Sequence, residues 1–113
     1  MNTLGKYLIK LATVFFLTAC TSWAGAGETV EVSIIKMAFE PQHVKIKPGT
    51  TVKWVNNEKR TNHSVYFEKE GLAESDRLFP EESWLRTFDK PGLYPYRCGP
   101  HPEMTGAVEV VKE

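Results

Sequence analysis

The sequence predicts an all-β protein, a two-layer sandwich of roughly seven short strands. Three observations carry that prediction. Apolar residues recur at every second position in short runs, the period of a half-buried strand. Turn formers separate the runs, as in Lys47-Pro48-Gly49-Thr50 and Asp89-Lys90-Pro91-Gly92. Beyond residue 26, no stretch of useful length repeats apolar residues at helical spacing.

The first 26 residues read as an export signal and a short linker. Lys6 and Lys10 precede an apolar run from Leu11 to Ala19. That run is too short to span a bilayer and suits the core of a signal peptide. Two processing readings stand side by side. Leu17-Thr18-Ala19-Cys20 resembles a bacterial lipoprotein signal, in which Cys20 becomes the lipidated N-terminus. Ser22-Trp23-Ala24 and Ala24-Gly25-Ala26 instead suit a plain signal peptidase. Both place the protein in the periplasm, either soluble or lipid-anchored, and leave residues 27–113 as one folded domain.

Within that domain the elements follow one another closely. Val30, Val32 and Ile34 alternate with Glu31 and Ser33. Val44 and Ile46 alternate with lysines. Val52 and Trp54 point one way in the next strand, with Lys53 pointing the other. Val65 and Phe67 indicate another short strand. Residues 68–82 are acidic and irregular, with a helical turn expected near Leu72-Ala73-Glu74. Strand character resumes from Trp84 to Phe88. Tyr94, Tyr96 and Cys98 then share one face, and Pro95 among them indicates an edge strand or a bulge. Val108 and Val110 close the chain.

Charge and cysteine content narrow the function. Setting aside Lys6 and Lys10 leaves a net charge of −2, which argues against nucleic acid as a partner. The folded domain holds one cysteine, Cys98, which has no partner for an internal disulfide. A free thiol in an oxidising compartment calls for a reason, and metal ligation supplies one.

The stretch Tyr96-Arg97-Cys98-Gly99-Pro100-His101-Pro102-Glu103-Met104 supports that reason. Taken singly, Cys98 and Met104 are ordinary core residues, and His101 is an ordinary loop residue. Finding His at +3 and Met at +6 of that cysteine has a chance of roughly 0.0007 on this composition. His43 begins an alternating strand and is expected to be exposed. His63, in Arg60-Thr61-Asn62-His63-Ser64-Val65, sits where a loop meets a strand and projects inward as the fourth ligand. Two imidazoles, a thiolate and a weak thioether describe a blue-copper electron-transfer site. Zinc prefers four good donors, or three and an open water position, and a thioether serves it poorly.

The residues that carry this site also carry a resemblance. The segments 36–56, 62–65 and 91–111 resemble the small bacterial type 1 blue-copper cupredoxins, the amicyanin group in particular. The short Cys-x-x-His-x-x-Met loop is the specific part. The resemblance implies a Greek-key β-sandwich holding one copper ion near one end. It also implies His63, Cys98 and His101 as equatorial ligands, with Met104 axial. Ser64 stands where that family usually has asparagine, Gly99 where serine or threonine is common, and Glu103 where a large apolar residue is found.

The expected function is the shuttling of single electrons in the periplasm, without enzymatic turnover. The alternative is a copper carrier that delivers the metal to an oxidase. Electrons are expected to pass at His101, within a rim of Pro100 and Pro102. Met37 and Phe39 read equally as rim or as core. The charge of −4 over residues 68–82 reads as a solvated loop, or as a steering face for a basic partner. A c-type cytochrome, a dehydrogenase or an oxidase fits that role, and the protein is expected to be a monomer. Any membrane contact would be through a lipid on Cys20.

Overall fold

Alternation along the chain becomes two facing sheets with their apolar sides together. The computed structural model describes residues 27–112, so the predicted export signal lies outside the described residues. The strands are β1 (Thr29–Ile35), β2 (Ala38–Glu40), β3 (His43–Ile46), β4 (Thr50–Asn56), β5 (Ser83–Phe88), β6 (Gly92–Arg97) and β7 (Thr105–Val110). One sheet has the order β2-β1-β4-β5 and the other β3-β7-β6. β1 runs parallel to β4, and β3 runs parallel to β7, because the chain changes sheets between β2 and β3. This is the all-β sandwich expected from the sequence.

The burial pattern follows the period-two prediction. Thr50, Val52, Trp54 and Asn56 of β4 face inward, as do Val32 and Ile34 of β1 and Val108 and Val110 of β7. Trp54 anchors the interior. Its indole meets Tyr96 and Phe67 edge to face, with ring centroids 5.4 Å and 6.0 Å away. Each such pair adds about 0.5–1.5 kcal/mol beyond area burial. β6 lies at the edge of its sheet, which is where Pro95 costs no interior hydrogen bond.

Three elements differ from the sequence reading. β2 was not predicted, since three residues with one inward side chain, Phe39, carry too short an alternation to detect. Residues 65–67 form no continuous strand. His63 bridges to Leu78 while Tyr66 bridges to Arg97, so neighbouring residues pair with different partners and no ladder develops. The helical turn is a 3-10 turn at Glu68–Glu70, ahead of the expected position. Gly71 ends it in the left-handed conformation (φ 70°) and donates its N–H to Glu68 O.

The split pairing positions the functional end of the molecule. His63 and Leu78 exchange two backbone hydrogen bonds of 3.1 Å and 2.7 Å, and Tyr66 and Arg97 exchange two of 2.8 Å and 3.1 Å. The loop after β4 is thereby fixed to the edge strand that leads into Cys98.

Candidate metal centre

Two loops build the site. The first is the seven-residue connection between β6 and β7, from Cys98 to Met104. Cys98 continues the inward face of β6. Its N–H donates to Met104 O at 2.9 Å, and the Met104 N–H donates to His101 O at 2.9 Å. Those two bonds, with Pro100 and Pro102, leave the loop little conformational freedom. The second loop follows β4 and delivers His63, which is wholly buried.

The donor atoms converge. The Nδ1 atoms of His63 and His101 each lie 3.5 Å from Cys98 Sγ. One ligand atom from each of the three residues falls within 4.8 Å of the others. Met104 is buried at the end of the same loop, whereas His101 is only half-buried. His43 is exposed on β3 and takes no part. All four residues singled out from the sequence therefore belong to the two loops that meet here.

The His63 ring is oriented from behind. Its Nε2 lies 3.1 Å from Glu58 Oε2. A carboxylate only accepts, so Nε2 carries the proton and the Nδ1 lone pair faces Cys98. Glu58 also accepts the Met37 N–H at 2.9 Å. That bond supports the turn between β1 and β2, where Lys36 and Met37 both adopt positive φ (54° and 58°). Burial opposes ionisation of Glu58, but the Met37 amide and the His63 ring outweigh it and hold its carboxyl below the usual value.

Behind Glu58 stands Asn56, the last inward residue of β4. Its side-chain amide donates to Thr61 O at 2.9 Å and Leu78 O at 2.8 Å, and its Oδ1 accepts the Glu58 N–H at 2.9 Å. One buried asparagine thus shapes the turn that carries Glu58 and then His63.

Electrostatics prepare the donors for a cation. Burial pushes His63 below the ordinary histidine value, against the pull of Glu58, so its ring is held neutral. Burial pushes the Cys98 thiol up, with the Ser64 and His101 amides opposing. A buried thiolate needs a compensating positive charge, and a metal ion supplies it. Two imidazoles, one thiol and a thioether suit copper better than a hard cation.

The family model for copper-binding proteins of the plastocyanin/azurin family matches residues 26–111. The chain belongs to that family. Among its relatives is amicyanin-alpha of Methylorubrum extorquens, 41% identical over 91 residues, covering 77% of this chain and 75% of the relative. Amicyanin of Paracoccus denitrificans is 37% identical over 89 residues, covering 75% and 67%. The crystal structure of amicyanin from Paracoccus versutus superposes with a TM-score of 0.66 at 36% identity, covering 81% of this chain and 87% of that one. A Cu(I) form of an amicyanin variant gives a TM-score of 0.68 at 33% identity, covering 81% and 88%. The cofactor of this copper-binding family member is one copper ion, and the converging donors fit it.

Two residues of the site have no forerunner in the sequence reading, Glu58 and Glu74. Ser64 was noted only as a departure from the family pattern. The Ser64 Oγ donates to Glu74 Oε2 at 2.6 Å and accepts the Gly99 N–H at 2.9 Å. The Ser64 N–H points at Cys98 Sγ, 3.5 Å away. The departures at Ser64 and Gly99 therefore still leave the two loops tied.

The surroundings bear on two further readings that the sequence left open. Phe39 is core rather than rim, while Met37 is exposed beside the site. The acidic segment is partly neutralised. Glu68 pairs with Arg97 at 2.8 Å, Glu70 with Arg86 at 2.8 Å and Glu74 with Arg77 at 3.5 Å. Arg86 and Arg97 come from β5 and β6, outside the segment, so its net charge of −4 overstates the field it presents.

Proposed function

We propose that this protein carries single electrons through one copper ion held by His63 Nδ1, Cys98 Sγ, His101 Nδ1 and the Met104 thioether. The observation that supports this reading best is the convergence of three donors from two tied loops within 4.8 Å of one another. When bound, copper supplies the exchange between Cu(II) and Cu(I). The chain's own part is to keep its donors from rearranging between those states. Glu58 holds the His63 ring, the Cys98–Met104 backbone bond closes the ligand loop, and burial keeps water out.

His101 is the donor nearest to solvent, so its ring edge is the route for electrons. Pro100 and Pro102 flank it in the loop, and exposed Met37 lies on the Met104 side of the site, giving an apolar contact face for a redox protein such as a c-type cytochrome or a dehydrogenase. The copper-carrier alternative has less support. Cys98 and His63 are both wholly buried, and handing over a metal requires donors that a recipient can reach.

The export reading belongs to the same proposal. Residues 1–26 direct the chain to the periplasm, and Cys20 offers a lipid anchor. No described helix is long and apolar enough to cross a membrane.

The test is the visible spectrum of the copper-loaded protein and of Cys98→Ser. The wild type should show an intense thiolate-to-copper band and the variant none. A variant that keeps the band would overturn the assignment of Cys98.

A further inference from the structure

We propose that Glu74 is a positioning residue for the metal centre, fixing the Ser64 hydroxyl in the orientation that locks the Gly99 amide and joins the two ligand loops. The redox consequence rests on the electron-carrier reading above. The geometric part does not need a metal.

Ser64 is wholly buried directly after His63, and Gly99 directly follows Cys98. Whatever couples Ser64 to Gly99 therefore couples the two ligand loops. A hydroxyl can rotate, donating or accepting in several directions. Here its two neighbours remove that choice. The Glu74 carboxylate only accepts, at 2.6 Å, and the Gly99 amide only donates, at 2.9 Å. The hydroxyl proton is drawn to Glu74, leaving a lone pair for Gly99. The contact lies at the short end of the range for hydroxyl hydrogen bonds.

The segment holding Glu74 is itself anchored beside Ser64. Ser75 N donates to Val65 O at 3.0 Å, and Val65 N donates to Ser75 Oγ at 2.9 Å. Residues 74–75 thus run alongside residues 64–65. Arg77 Nε lies 3.5 Å from Glu74 Oε2 with half its side chain exposed, so that pair contributes little by itself.

Gly99 completes the arrangement. A Cβ there would overlap the Glu74 carboxylate and stand 2.7 Å from Ser64 Oγ. The absence of a side chain lets the carboxylate lie across the loop. Ser64, Gly99 and Glu74 therefore act as a unit, in which a carboxylate from a third segment fixes the hydroxyl that joins the two loops.

Two consequences separate. Mechanically, Glu74 keeps the Gly99 amide bonded. Electrostatically, a negative charge near Cys98 favours the more positive oxidised metal and lowers the reduction potential.

The experiment compares Glu74→Gln and Glu74→Ala by amide hydrogen exchange at Gly99 in the metal-free protein and by midpoint potential in the copper-loaded protein. Glu74→Ala should speed Gly99 exchange by about tenfold or more and raise the potential. Glu74→Gln retains an acceptor for Ser64, so it should keep Gly99 protected while also raising the potential. Wild-type exchange at Gly99 in Glu74→Ala would overturn the positioning role whatever the potential does. Faster exchange with an unmoved potential would support positioning and overturn the electrostatic effect. If the protein held no copper, the electron-carrier reading would fail while the exchange result still decided the role of Glu74.

Discussion

The His63 ring is aimed at Cys98 by Glu58, whose carboxylate oxygen lies 3.1 Å from the ring's Nε2. The same oxygen accepts the Met37 amide, so one carboxylate supports both the imidazole and the turn beside it. Glu58→Ala should therefore lower copper affinity by about 10–100-fold, measured by competition with a chelator. Glu58→Gln, which retains an acceptor, should lose less. Unchanged affinity in Glu58→Ala would mean that the packing around His63 orients the ring unaided.

Much of this was legible in the sequence, and the remainder was hidden for physical reasons. Period-two alternation revealed β1, β3, β4, β6 and β7, because each buries one face, and strand character from Trp84 to Phe88 marked β5. Spacing revealed Cys98, His101 and Met104, because one short loop holds all three. His63 was readable as an inward residue at a loop-to-strand junction. Glu58 and Glu74 were not. Each acts through a neighbour brought close by folding, and in sequence each is one acid among many. Asn56 continues the inward face of Val52 and Trp54, but its sequence neighbourhood does not reveal the turn it shapes. The 3-10 turn falls ahead of Leu72-Ala73-Glu74 because Gly71 ends it in the left-handed conformation.

Met104 gives a second expectation. Met104→Leu should keep copper and colour while raising the midpoint potential, because a donor that favours Cu(II) has been removed. A potentiometric titration beside the wild type measures the shift. Loss of all copper would show that Met104 does more than tune the metal, and an unmoved potential would show that it is no ligand.

Tyr96 gives an expectation about stability. Its hydroxyl and the Trp54 indole N–H are both buried without a hydrogen-bond partner. Burial pushes Tyr96 up to about 12. An unfolded tyrosine ionises near 10, so the unfolded chain loses this proton first. The contribution is full below about pH 10 and declines as pH rises through about 12, by about 3 kcal/mol in total. Urea midpoints at a series of alkaline pH values should fall more steeply for the wild type than for Tyr96→Phe. Near neutral pH, Tyr96→Phe should cost little, since it removes an unpaired polar atom. Parallel alkaline profiles would refute the shift.

The leader gives a fourth. If Cys20 is lipidated, the exported protein should partition with membranes, and Cys20→Ala should block that processing. Recovery of all wild-type protein in the soluble fraction, with an N-terminus after Ala24 or Ala26, would favour plain signal-peptidase cleavage instead.

Spectroelectrochemical titration of the copper-loaded domain tests the electron-carrier function most directly. The thiolate band should bleach and return with the slope of a one-electron couple, and copper should stay bound throughout repeated cycles. Release of copper on reduction, or a band that fails to return, would contradict electron transfer and favour a protein that delivers the metal.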